Sequence, residues 1–292
     1  MLDKRVKANQ IELQVRDYEG SGEAIVFLHY SGANLMMWPR VLPYFQDRYR
    51  LILVDLRGHG KSDKPETGYQ IDVMARDILG VMQHLNLERA HIIGSSLGAE
   101  VGLSLAANYP DRVISLVCDG ALSSEYGPFG TWEGSQAEFE EHVASQLDKM
   151  RSSPETFFPS VEAAVAASRE AFEKYGWWNE YFEAMIRYGA YPAGEGKYVR
   201  SVRKQAMVNY LEGYFYCRFE DYYRRVKCPV LMLPGADLLK NDRERAAMEG
   251  LSVLAAQAEI VEVSGWEHPY GWLLDPEEMC KAILKFLSET AH

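Results

Sequence analysis

The sequence predicts an α/β fold: a mostly parallel, doubly wound sheet with a helical cap inserted after the sixth strand. Three observations predict it. Short apolar runs alternate with helical stretches from Ala24 to Cys118. A serine flanked by glycines, Gly94-Ser95-Ser96-Leu97-Gly98, stands between one such run and a helix. The strand rhythm then stops at Asp119 and resumes only at Cys228. Strands alternating with helices require crossover connections, which are right-handed and give a parallel sheet.

Each element follows from its pattern. Ile11, Leu13 and Val15 alternate with polar residues, so the stretch Val6 to Val15, turning near Asn9, reads as a half-buried antiparallel pair at a sheet edge. Ala24 to Leu28 is continuously apolar, as in a strand covered on both faces. A helix is expected from Met36 to Phe45 and a buried strand from Arg50 to Asp55. Ile71, Met74, Ile78, Val81, Met82 and Leu85 share one face of a helix over 71–85. Ala90 to Ile93 reads as a strand, Ala99 to Ala107 as a helix stopped by Pro110, and Arg112 to Cys118 as the sixth strand.

From Ala121 to Lys227 the composition is helical and aromatic, with breakers at Pro154, Pro159, Pro192 and Gly194-Glu195-Gly196. This stretch is expected to cap the carboxyl edge of the sheet, so that residues 1–120 and 228–292 form the core and 121–227 the cap. Cys228 to Pro234 and Glu259 to Val263 complete the strands, a helix spans about Asp242 to Ala256, and a closing helix runs from Asp275 to Glu289.

At 292 residues the chain can bury a substantial core. The net charge of −11 argues against nucleic acid and against anionic membrane surfaces, both of which reward a basic face. Cys118, Cys217, Cys228 and Cys280 form neither a C-x-x-C pair nor a zinc-ligand spacing, and read as reduced thiols. The charged start Met1 to Arg5 has no apolar signal region, and no apolar run is long enough to span a bilayer; a cytoplasmic protein is expected.

The chemistry centres on Ser96. Most serines cap helices or meet solvent, but a serine at a turn this sharp must take strained backbone angles, and its neighbours two before and two after need to lack side chains. Such a serine stands at the carboxyl edge of the sheet, beside the unpaired N–H groups of a helix start.

The pieces His29-Tyr30-Ser31-Gly32, Asp55-Leu56-Arg57-Gly58-His59-Gly60-Lys61-Ser62, the turn at Ser96, Gly235-Ala236-Asp237 and Gly265-Trp266-Glu267-His268 occur in that order. Together they resemble the α/β-hydrolase superfamily, in its capped, esterase-like branch. The resemblance implies Ser96 as nucleophile, His268 as base and Asp237 as the acid that orients it, with Asp119 as the alternative acid. It implies an oxyanion hole from the N–H groups of Leu97 and Ser31, Tyr30 standing where the family usually has glycine. His29 and His59 fall where the family uses histidine structurally; His84, His91, His142 and His292 read as helix-surface, strand, cap and tail residues.

The expected activity is hydrolysis of a carboxylic ester or lactone of a small to medium apolar substrate, through an acyl-enzyme and without metal or organic cofactor. A serine at this position disfavours epoxide hydrolase and haloalkane dehalogenase chemistry, which needs a carboxylate there. Carbon–carbon bond hydrolysis, cofactor-free peroxidase or acyl transfer, and a non-catalytic receptor remain as alternatives. The cap aromatics suit either pocket lining or a homodimer contact.

Overall fold

The computed structural model describes residues 1–290, so that His292 lies outside the described residues. Two strands, β1 (Leu2–Ala8) and β2 (Ile11–Tyr18), form an antiparallel hairpin. Asn9 and Gln10 turn it with φ of 44° and 69°, the left-handed pair that matches strand twist. β3 (Ala24–Leu28), β4 (Arg50–Val54), β5 (Ala90–Ser95) and β6 (Val113–Asp119) follow. A two-residue ribbon, β7 (Tyr191–Pro192) and β8 (Tyr198–Val199), lies apart, and β9 (Val230–Met232) and β10 (Ala258–Ile260) return to the sheet. The sheet has eight strands in the order β1-β2-β4-β3-β5-β6-β9-β10, parallel from β4 to β10.

The continuous apolar strands are explained by cover on both faces. Along β3, Val26 and Leu28 face one core with the helices Ile71–His84 and Leu97–Asn108, while Ile25 and Phe27 face another with Leu42–Phe45 and Glu277–Thr290. Each such fully buried side chain contributes roughly 1.5–3 kcal/mol relative to exposure.

The helix expected over Met36 to Phe45 is broken in two. Leu35–Met37 forms a tight turn capped by Asn34, and Leu42–Phe45 a single helical turn. Pro39, between them, lacks the N–H that a continuous helix needs, and Pro43 stands in the first turn of the second piece, where that N–H is not required. The closing helix starts at Glu277, with Gly271–Leu274 as a separate turn before it.

Between β6 and β9 the chain forms the helices Gln136–Ser152, Val161–Glu173, Glu180–Gly189, Lys204–Tyr214 and Phe219–Tyr223. Ser135, Ser160 and Asn179 cap three of them with side-chain oxygens, and Glu138 completes a capping box with Ser135. This helical insert has a closed neck. Ser124 Oγ donates to Glu220 at 2.8 Å and accepts from Phe219 N–H at 3.0 Å, and the Tyr223 hydroxyl donates to Ala121 O at 3.1 Å. Further on, Tyr188 donates to Asp55 at 2.9 Å and Asn34 to Met185 O at 2.9 Å.

The helix Leu97–Asn108 lies directly against the end of β3. A Cβ on Gly98 would stand 2.1 Å from Leu28 O, and one on Gly94 2.4 Å from the Gly98 backbone. Both close partners are backbone, which cannot swing aside. Gly98→Ala is therefore expected to destabilise the fold by about 1–3 kcal/mol or more, read as a lower urea midpoint at unchanged slope.

Candidate active site

Ser96 joins β5 to the helix Leu97–Asn108 with φ 49° and ψ −119°. A residue with a Cβ holds such angles at a cost of about 1–3 kcal/mol, met by the surrounding structure. Here the Ser96 N–H donates to Asp119 O, and Gly120, at φ +130°, passes so close that a Cβ on it would lie 2.7 Å from Ser96 Cα. The serine remains partly accessible and lines a cavity of about 280 Å³ together with His268.

His268 is positioned from the far side. Its Nδ1 lies 2.7 Å from Asp119 Oδ1, and its side chain is 33% exposed. Asp119, the last residue of β6, is fully buried. Three further donors converge on it: Ser95 Oγ at 2.7 Å, Trp266 Nε1 at 3.1 Å and Trp272 Nε1 at 2.6 Å. Indole N–H groups only donate, so this shell is matched to an ionised acceptor. Burial would raise the Asp119 carboxyl, but the His268 charge and the converging donors hold it below the usual carboxylate range. Burial would lower His268, yet Asp119 outweighs it and the imidazole lies above its ordinary 6.5.

The expectation for Asp237 is corrected. Asp237 sits in the short helix Ala236–Leu239 with its side chain 93% exposed, and it pairs with Lys240 at 2.8 Å. It lines the outer part of the cavity but makes no bond to His268. The turn after β9 points it to solvent, whereas the end of β6 brings Asp119 under the imidazole.

The oxyanion candidates lie on the two elements that Gly98 brings together. Neither Leu97 N–H nor Ser31 N–H donates to an acceptor among the described residues. Tyr30 is buried, and its hydroxyl and that of Ser31 reach the sulfurs of Met185 and Met207 in the insert, each at 3.7 Å. His29 is buried and bridges Tyr30 O and Leu56 N–H, and His59 Nδ1 bonds Arg57 O. Burial lowers both imidazoles, His59 to about 4, so both stay neutral structural links.

Sequence reasoning missed Ser95, Trp266 and Trp272 as partners of the acid, although both tryptophans flank His268 in the chain. It also missed Glu100, one helical turn beyond Ser96. Glu100 is 4% exposed, lines the same cavity, and accepts from the Tyr210 hydroxyl at 2.9 Å on each oxygen. No group of three or more His, Cys, Asp or Glu among the described residues is arranged to hold a metal ion. No helix among them is long and apolar enough to cross a membrane.

The sheet order, the strained serine between strand and helix, and the insert after β6 are those of the α/β-hydrolase class. The chain belongs to that family: the family profile described as alpha/beta hydrolase fold matches residues 23–237. It is 30% identical over 291 residues to the 2-(acetamidomethylene)succinate hydrolase of Mesorhizobium japonicum, spanning 98% of this chain and 95% of the relative. It is 34% identical over 110 residues to 3-oxoadipate enol-lactonase 2 of Acinetobacter baylyi, spanning 38% of this chain and 41% of that one. The crystal structure of an E-2-(acetamidomethylene)succinate hydrolase superposes with a TM-score of 0.75 at 28% identity, covering 98% of this chain and 99% of the other. The protein is an enzyme of a hydrolase family.

Two outcomes follow. Asp119→Asn is expected to lower turnover by roughly three to four orders of magnitude, by losing the imidazole tautomer, and to shift the acid limb of the pH–rate profile down. Asp237→Asn leaves that limb where it is; the profiles of both variants check the assignment. Burial pushes the Glu100 carboxyl from 4.5 up to about 8, so folding takes up a proton over that interval and stability falls as pH rises through it. Glu100→Gln removes this slope, and melting temperatures of both proteins between those pH values measure it.

Proposed function

We propose that the protein is a serine hydrolase that cleaves a carboxylic ester or lactone of a small to medium, largely apolar substrate. One observation carries the reading: Ser96, strained and accessible, shares its cavity with a histidine whose Nδ1 is held by a buried carboxylate. With Nδ1–H donated to Asp119, Nε2 is left as the proton acceptor. Ser96 Oγ attacks the substrate carbonyl as Nε2 takes its proton, and Asp119 stabilises the imidazolium. The N–H groups of Leu97 and Ser31 receive the oxyanion, in a site where such donors are worth most. His268 then protonates the leaving oxygen, and water repeats the sequence on the acyl-enzyme. The helical insert acts as the cap that keeps bulk water from the acyl group.

The enol-lactonase likeness supports lactones within this range. The relative matched nearly end to end is named for a substrate with an acetamido group. That favours a second reading in which the acyl group is carried on nitrogen, with the same residues and an amine as leaving group.

Hydrolysis of a p-nitrophenyl series from acetate to dodecanoate is expected to fall with chain length and to drop by about four orders of magnitude or more in Ser96→Ala. A Ser96→Ala protein that kept its turnover would sink the reading. Because His268 titrates above the ordinary 6.5, the acid limb of kcat/KM is expected above that pH, the unprotonated imidazole being the active form. A rate profile between pH 5 and about 9 measures it.

A further inference from the structure

Four carboxyl side chains line the cavity at Ser96, those of Glu100, Asp237, Glu244 and Glu267, and no lysine or arginine among the described residues does. The cations at 240–245 are engaged: Lys240 with Asp237, Arg243 with Glu133, and Arg245 with Glu262. Glu100 is more than nine-tenths buried and in no ion pair among the described residues; the Tyr210 hydroxyl alone donates to it. A carboxylate has room for about four donors, and the contacts from Tyr210 leave part of that capacity unused.

We infer that this cavity selects substrates bearing a cationic nitrogen close to the bond that is cleaved, with Glu100 as the residue that reads the charge. The inference rests on the serine-hydrolase reading and narrows its substrate class. The cavity is marked as a reaction site by Ser96 and His268, and the carboxylates set its sign. Burial pushes Glu100 up to about 8, Glu125 adding to the rise while Tyr210 and His268 oppose it. A bound cation supplies the missing counter-charge, and the carboxyl gives up its proton to solvent. A substrate carboxylate in the same place supplies no counter-charge to Glu100, which stays protonated, and it is repelled by Asp237, Glu244 and Glu267 at the cavity wall. The Mesorhizobium japonicum relative is named for a succinate, which carries two carboxylates; this chain is inferred to differ from it in substrate charge.

The test compares isosteric esters. On the acyl side these are p-nitrophenyl 4-(trimethylammonio)butanoate, 5,5-dimethylhexanoate and hydrogen glutarate. On the leaving side they are acetylthiocholine, S-3,3-dimethylbutyl thioacetate and 3-(acetylthio)propanoate. In at least one series kcat/KM is expected to favour the cation over the anion by about tenfold or more, with the neutral ester between. Glu100→Gln and, independently, Glu244→Gln are expected to bring the cation-to-neutral ratio toward one. Phosphonate labelling of Ser96 by trimethylammonium, neutral and carboxylate reagents gives the same ordering without turnover. Charge-independent rates, anion preference, or a ratio unmoved by both variants would overturn the inference while the hydrolase reading stands. No labelling by any reagent and no turnover would overturn both.

Discussion

The site depends on one buried negative charge. Asp119 ends β6 with no lysine or arginine bonded to it among the described residues, and it is kept ionised by an imidazole, two indoles and a hydroxyl. The four donors come from three places in the chain: Ser95 from the strand before the serine turn, Trp266 and His268 from the loop after β10, Trp272 from the turn beyond. The carboxylate therefore fixes the C-terminal loop onto the sheet as well as orienting the imidazole. Trp272 in turn packs edge-on against Trp38 and Trp266, at 5.1 and 4.9 Å between ring centres, so the polar centre is continuous with the apolar core.

A second carboxylate ties the loops on the other side of the serine. Asp55 accepts from Leu35 N–H at 2.7 Å, Lys61 N–H at 2.8 Å and the Tyr188 hydroxyl at 2.9 Å. It thereby joins the β3 loop, the β4 loop and the insert. Asp119 and Asp55 lie at the carboxyl ends of β6 and β4 respectively, the first as the last residue of its strand and the second just beyond its strand. The serine turn stands between these two anchored regions, which is how strain at one residue is borne without distorting the sheet.

Much of this was legible from residue patterns. The alternation in β2, the unbroken apolar run of β3 and the glycines about Ser96 report local constraints, and each became the element it predicts. The position of His268 after the last strand was legible for the same reason. The carboxylate that holds His268 was not, because two aspartates stand at strand ends and both are next to glycine or alanine. What separates them is three-dimensional: which carboxyl the loop after β10 covers with donors. Glu100 was hidden for a related reason. On a helix whose first turn is otherwise small and apolar it looks like an ordinary charge near an N-terminus, and only the approach of Tyr210 from the insert, across 110 residues of sequence, buries it.

The closed neck of the insert has a consequence for its length. The excursion leaves and returns through one buried point, where Ser124 bonds both Phe219 and Glu220. Chain outside that point need only start and finish together, and the entropy of closing a loop rises merely with the logarithm of its length. A segment of different length can therefore be closed at this neck at little added entropic cost, with the sheet and Asp119 left in place.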